Sequence, residues 1–356
     1  MKIHSLNLTN YRNWADYHLD FNEVTILIGP NGAGKTNILE SVYFLATGRT
    51  WRASNEAQLI NWENDYCRLT VEIEKKTGKI KTEIFLQKQP LSGRVQIKQV
   101  KINNIKHRTL DLIGQMPAVL FSPETIDLIS GAPNLRRKFL DIVLAQTKHI
   151  YALNLLTYQK VLRERNKLLF HIKIGKAKRD ELDFWNEKLV ETGESIIRER
   201  SELIKKLNQI LPDVYATLVG EKQNIKIVYK PSVKSGQMKE EINASIERDI
   251  EKTGTGLGPH RDDWEIQENS RNIVTFASRG EFRSAVLALK CAEVAFIKEQ
   301  VGEDPVLLLD DIFSELDATR RAHLAKVVET QQTIITTTDL DHIEKGLRDK
   351  AKIVEL

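Results

Sequence analysis

The chain has 356 residues, enough for two ordinary domains and too many for one. Hydrophobic residues at 41% and charged residues at 29% exclude a disordered chain, and no run approaches the roughly 18–20 apolar residues of a membrane span. A net charge of +4 is too small to identify a nucleic-acid partner by itself.

Alternation over Ile3 to Leu8 and over Tyr17 to Phe21 predicts strands, with a turn at Asn10-Tyr11-Arg12-Asn13-Trp14. Met1 to Asn7 has no signal-peptide core, and Cys67 and Cys291 have no ligand-like spacing, so a reduced, cytoplasmic location is expected. The apolar run Val24 to Ile28 suits a buried strand. It leads into Gly29-Pro30-Asn31-Gly32-Ala33-Gly34-Lys35-Thr36, after which Ile38, Leu39, Val42, Leu45 and Ala46 fall at helical spacing. Residues 67 to 105 alternate as in antiparallel sheet, with turns at Gly78 and Ser92-Gly93. From about Pro123 to Val219 the pattern predicts long helices, broken near Gly175 and ended by Pro212. Residues 231 to 250 are polar and are expected to include an exposed loop, and strand-helix-strand patterning resumes after Gly258.

The glycine segment matches G-x-x-x-x-G-K-[ST] with a strand before it and a helix after it, the context that motif needs. Its glycines let backbone N–H groups form a nest around the phosphates of ATP, and the following helix presents its positive end to them. Lys35 then serves the β- and γ-phosphates, and Thr36 offers an oxygen to Mg2+. The matching half is Pro305-Val306-Leu307-Leu308-Leu309-Asp310-Asp311, a buried strand ending in carboxylates. Asp310 is the expected Mg2+ partner, and Asp311 stands where a carboxylate orients or deprotonates water. Lys35 and Asp310 are 275 positions apart yet must meet at one ion. The ATPase part is therefore discontinuous, and the helical middle is an insertion. Ser278-Arg279-Gly280-Glu281 opens a helix whose apolar face is Phe282, Val286, Leu289, Ala292 and Phe296, with Ser278 placed to cap it.

Positive charge concentrates in the middle of the chain. Between Pro133 and Asp180 there are twelve Lys and Arg against three acids. A solvated helical face and a phosphate-backbone footprint both fit that count. Arg136, Arg137 and Lys138 are the candidate DNA contacts, with Lys160, Arg163 and Lys167 behind them.

This order of motifs resembles the ABC-type ATPases of the SMC group, and within it the RecF family. The matching segments are Asn10 to Trp14, the loop extended through Asn37-Ile38-Leu39-Glu40, Phe121-Ser122-Pro123-Glu124, and Pro133 to Asp141. Gly258-Pro259-His260-Arg261-Asp262-Asp263, Ser278 to Glu281, and Leu309-Asp310-Asp311-Ile312-Phe313-Ser314-Glu315-Leu316-Asp317 complete them.

The resemblance implies an α/β fold with an ABC-type, SMC-like P-loop ATPase lobe, discontinuous in sequence, and an inserted, mainly helical second lobe. The expected boundaries are 1–115 plus 257–356 for the first and 116–256 for the second. It further implies ATP held between two subunits of a homodimer, with Ser278, Arg279 and Gly280 on the γ-phosphate of the other subunit and Arg12 on the nucleotide phosphates. Ser314 to Asp317 would cross the dimer seam, and Thr337 or Thr338 would be the switch residue.

Three departures stand out. Glu281 replaces the usual glutamine, Asp311 the usual glutamate, and Leu120-Phe121-Ser122-Pro123 lacks the glutamine of the corresponding loop. The shorter Asp311 predicts slow hydrolysis.

The family resemblance implies a DNA-stimulated ATPase of recombinational repair and replication restart. It would bind gapped or single-strand/duplex junction DNA, help RecO and RecR load the recombinase RecA, and support the SOS response. The competing expectation is a nucleotide-gated scaffold whose hydrolysis is incidental. The motif spacing disfavours a simple P-loop kinase, and the altered signature disfavours a transporter subunit.

Overall fold

The computed structural model describes residues 1–89, 94–221 and 223–356, so the expected turn at Ser92-Gly93 lies outside the described residues. The chain divides into two compact units, Met1–Thr125 with Leu287–Leu356, and Ile126–Val286.

In the first unit, β1 (Lys2–Tyr11) and β2 (Trp14–Asp20) form a hairpin turning at Arg12 and Asn13. Then come β3 (Val24–Ile28) and α1 (Lys35–Thr47). A meander follows: β4 (Tyr66–Lys75), β5 (Gly78–Lys88), β6 (Val95–Ile102) and β7 (Ile105–His107). With β1 and β2 it makes an antiparallel sheet of order β2-β1-β4-β5-β6-β7. The short α2 (Thr109–Leu112) leads to β8 (Ala118–Phe121).

The second unit begins with α3 (Asp127–Ser130), α4 (Pro133–Thr147), α5 (His149–Lys173) and α6 (Leu182–Val219). Next are β9 (Ile225–Lys230), α7 (Met238–Ala244), α8 (Ile246–Lys252) and β10 (Asp263–Glu268). It ends with β11 (Arg271–Asn272), α9 (Ile273–Phe276) and the start of α10 (Arg279–Val301). β10 lies between β9 and β11 in a small antiparallel sheet.

The chain returns to the first unit with the rest of α10, then β12 (Val306–Asp310), α11 (Ala318–Val328), β13 (Thr333–Thr337), α12 (Lys345–Arg348) and β14 (Lys352–Glu355). These strands join β3 and β8 in a parallel sheet of order β14-β3-β13-β12-β8. Val306 to Leu309 are fully buried, as a parallel sheet covered on both faces requires. α1 is buried along most of its length and packs against strands of both sheets through a shared apolar core.

The structure moves three expected features. The unit boundary is not at 116, because β8 pairs in parallel with β12 and so belongs to the ATPase sheet. It is not at 257 either, because β10 pairs with β9 and carries residues up to Val286 into the second unit. Pro212 does not end α6. Tyr215 and Leu218 continue the buried face of Leu211 past it, and the helix stops at Gly220, whose φ of 89° suits glycine. The polar stretch 231 to 250 does include an exposed loop, at 234 to 237, and continues into two short helices. Met238 and Ile242 are fully buried on α7.

Candidate functional site

The glycine loop is shaped by sterics. Gly32 and Gly34 have φ of 86° and 104°. A Cβ on Gly34 would meet Asn13 Nδ2 at 2.5 Å and Trp14 Cζ2 at 2.8 Å, so the β1–β2 turn packs directly on the loop. Asn13 Nδ2 also donates to Ala33 O at 3.3 Å, and its Oδ1 accepts from Asn37 Nδ2 at 2.8 Å. Lys35 Nζ donates to the carbonyls of Gly29 and Pro30 at 2.5 and 2.9 Å. Burial lowers its pKa, while Asp311 and Asp310 favour its charge.

Thr36 Oγ1 donates to Asp310 Oδ1 at 2.8 Å, joining residues 274 positions apart. The same Oδ1 accepts from Thr336 Oγ1 at 2.7 Å. Burial raises the Asp310 pKa, and these two hydroxyls oppose the rise. Asp311 follows in a left-handed conformation, φ 49°, its amide donating to Thr336 Oγ1 at 3.0 Å. Asp311 Oδ1 is buried without a hydrogen-bond partner, and burial raises its pKa. His342 contributes a favourable field at Asp311, and its own Nδ1 is buried and unpartnered.

The arrangement offers a cationic side chain, a nest of amides, a hydroxyl and two carboxylates. Oxygen donors of this kind suit a hard divalent cation, and the orphaned Asp311 oxygen leaves an acceptor for a bound water.

Arg12 is differently engaged from the expectation. Its Nε donates to Glu40 Oε2 at 3.0 Å, and its Nη2 reaches both Glu40 oxygens at 3.0 and 2.8 Å. Glu40 is fully buried and also accepts from Thr50 and from Tyr11 at 3.4 Å. Of the two candidate switch threonines, Thr337 is buried and hydrogen-bonds the backbone of Asp339, whereas Thr338 is exposed. Thr336, one position earlier, is the threonine that touches both aspartates. Sequence reasoning passed over it, together with Glu40 and His342. The strand period was the available signal for Thr336: Asp310 pairs with it in the register of β12 and β13.

In the second unit, Ser278 and Arg279 are exposed at the start of α10. Glu281 accepts from the Ser278 amide at 2.7 Å, and Ser278 Oγ accepts from the Glu281 amide at 3.3 Å. That reciprocal pair is a capping box. The carboxylate that departs from the ABC pattern therefore holds the helix start together, and the Ser278 amide lowers its pKa.

The expected DNA contacts on α4 are not free. Arg136 makes a paired contact with Asp263, Nε to Oδ1 at 2.6 Å and Nη2 to Oδ2 at 2.8 Å, and its Nη1 donates to the Ile129 and Gly131 carbonyls. Arg137 Nη1 donates to Asp262 O at 2.8 Å, and Lys138 is half-buried. The Arg136 guanidinium is thus spent inside the unit.

Gly258 to Asp263 is also framework. Asp262, 1% exposed, accepts from the Ser232 amide at 2.8 Å, from Tyr229 and from Arg200. Arg200 in turn donates to Pro259 O at 2.7 Å and Asp141 at 2.8 Å. His260 Nε2 lies 3.0 Å from Thr255 O and its Nδ1 2.7 Å from Tyr158 Oη. A carbonyl only accepts, so Nε2 carries the proton and Nδ1 accepts from the tyrosine.

The comparisons agree with this geometry. The family described as "RecF/RecN/SMC N terminal domain" matches residues 2–355. The chain is 36% identical to the DNA replication and repair protein RecF of Bacillus cytotoxicus, covering 100% of this chain and 97% of that one. It is also 36% identical to the protein of that name from Clostridium tetani, covering 100% and 98%. A solved structure of the recombination mediator protein RecF with ATP, described as part of the RecFOR pathway, aligns with a TM-score of 0.89 at 31% identity, over 96% of this chain and 93% of that one. The Smc head domain from Pyrococcus furiosus aligns at 0.56 and 16% identity, over 99% and 92%, and shares the ABC-type fold. With the phosphate loop, its distant aspartate partner and full-length similarity all in agreement, the chain belongs to the RecF family of the RecF/RecN/SMC group.

Proposed function

We propose that this chain is an ATP-driven switch that binds DNA in replication and recombinational repair. The observation that carries the reading is the Thr36 to Asp310 hydrogen bond, which closes a nucleotide site from the two ends of the sequence. The RecF structures solved with ATP and an ATP analogue support the nucleotide.

In this reading the loop amides and Lys35 bind the phosphates, and Lys35 exchanges its two carbonyl partners for phosphate oxygens. Thr36 and Asp310 would hold Mg2+, which would neutralise charge on the nucleotide phosphates. Asp311, with its unpartnered oxygen, orients the attacking water. Arg12 and Asn37 flank the loop.

Ser278, Arg279 and Gly280 supply an amide-rich helix start to nucleotide bound by a second copy of the chain. ATP then favours the dimer through contacts made only in the closed state, and DNA that favours closure tightens ATP by the same factor. Gapped or single-strand/duplex junction DNA, RecO and RecR as partners in loading recombinase, a role in the SOS response and a cytoplasmic location complete the proposal. No described helix is long and apolar enough to cross a membrane.

Sedimentation with ATP, ADP and no nucleotide, on the wild type and on Lys35→Ala, tests the switch. ATP should shift only the wild type toward dimer. Equal dimerisation under all conditions overturns it.

A further inference from the structure

Removing Arg136 and Arg137 from the surface leaves the basic surplus of the second unit to be explained elsewhere. It lies on α5. The inner face of that helix is Tyr151, Ala152, Leu155, Tyr158, Val161, Arg165 and Leu169, all buried. The outer face is Leu156, Lys160, Arg163, Lys167 and Phe170, all exposed, extended by Ile174 at the helix end. At about 100° per residue these six fall within an arc of about 80°, on successive turns over roughly 27 Å.

Two features separate this stripe from an ordinary solvated face. Solvated helices interleave acids with bases three and four positions apart. α5 has one acid, Glu164, which lies 3.0 Å from Lys167, while no ion pair or hydrogen bond involves the side chains of Lys160 or Arg163 among the described residues. The second feature is apolar. Leu156 is 48% and Phe170 49% exposed, at either end of the cationic run. A chain solvated for its own sake gains nothing from an exposed phenylalanine there. A row of three cations, only Lys167 of them paired, ending in an aromatic ring matches a nucleic-acid strand, whose phosphates take the charges and whose unpaired base stacks on the ring.

We propose that the outer face of α5 is the DNA-backbone contact of this protein, with Lys160, Arg163 and Lys167 on phosphates and Phe170 stacking on an unpaired base. The proposal rests on the DNA-binding reading above and replaces Arg136 and Arg137 as its contacts.

The test compares full-length wild type, the triple variant Lys160→Gln/Arg163→Gln/Lys167→Gln, and a control of equal charge change in the other unit, Lys79→Gln/Lys326→Gln/Lys345→Gln. Binding to a duplex with a single-stranded overhang is measured with ATP across a salt series. Each lost duplex phosphate contact lowers the slope of log K against log salt by about 0.9, and each single-strand contact by about 0.7. The α5 triple variant should therefore lose about 2 to 3 from the slope, Arg163→Gln alone about 1, and the control nothing. Phe170→Ala should weaken overhang binding several-fold and leave a blunt duplex unaffected. Wild-type binding that the α5 triple variant reproduces, or an equal loss in the control, overturns the α5 face and leaves the DNA-binding reading intact. A wild type that binds no DNA at any salt overturns both.

Discussion

The hydroxyl of Thr336 lies 2.7 Å from Asp310 Oδ1 and accepts the Asp311 amide, so one side chain holds the first carboxylate of the candidate site and the backbone that carries the second. Thr336→Val keeps the shape and removes the donor. Asp310 then keeps Thr36 alone, and its burial penalty grows. We expect Mg2+-dependent nucleotide affinity to fall about 10-fold, in the range seen for groups that orient metal ligands. Stability should fall by about 1–2 kcal/mol, and Thr336→Ser should restore both. Mg2+ titration of nucleotide binding, with thermal melting, checks this.

Asp311→Asn separates hydrolysis from binding. It should retain ATP and lose turnover. The nucleotide-free protein should melt no lower than wild type at neutral pH. Burial raises the Asp311 pKa, so its contribution to stability is present below the ordinary value of 3.8 and lost as pH rises through the folded value. Cells carrying the variant decide between switch and scaffold: full survival after DNA damage with hydrolysis abolished would favour the scaffold.

Glu281→Ala should break the capping box of α10 and cost about 1 kcal/mol. Glu281→Gln accepts the same amide and should recover most of it. If the helix start meets nucleotide on a second copy, ATP-dependent dimerisation should follow the same order, wild type above Gln above Ala. Melting and sedimentation read the two effects separately.

Burial lowers the His260 pKa from 6.5 to about 4. Its stabilising contribution is present above 6.5 and lost as pH falls through the folded value. Between pH 7 and pH 4.5, wild type should lose roughly 2 kcal/mol more stability than His260→Gln, whose amide can serve both Tyr158 and Thr255. Denaturant titrations at the two pH values measure the difference.

Arg136→Gln should act on folding. Its loss leaves Asp263 half-paired, and we expect a destabilisation of about 1–3 kcal/mol with no change in the salt slope of DNA binding. Asp263→Asn in the same background should recover part of it, as a double-mutant cycle would show.

The glycine loop was legible in sequence because an anion nest constrains residues that are adjacent in the chain. The partnership of Lys35 and Thr36 with Asp310 was legible because two short patterns had to meet at one ion. What sequence concealed was direction. Arg136 reads as a surface cation until Asp263, 127 positions away, is found opposite it. Thr336, Thr337 and Thr338 are chemically alike, and only the pleat of β13 decides which one faces Asp310. Pro212 reads as a stop because local rules count its missing N–H, whereas the packing of Leu211, Tyr215 and Leu218 outweighs that single loss. Glu281 reads as a defect in an ABC pattern until its role at the helix start is seen.

The place of β3 in the parallel sheet also sets an order of events during synthesis. Both neighbours of this strand, β13 and β14, are the last two strands of the chain, and a Cβ on Gly29 would lie 2.6 Å from the Leu356 carbonyl. A nascent chain emerging from the ribosome can complete the helical unit while β3 still has no partner on either side. The phosphate loop stays unsupported until residues 333 to 355 arrive. A chain cut before residue 333 therefore leaves β3 unpaired on both sides and the phosphate loop without its support.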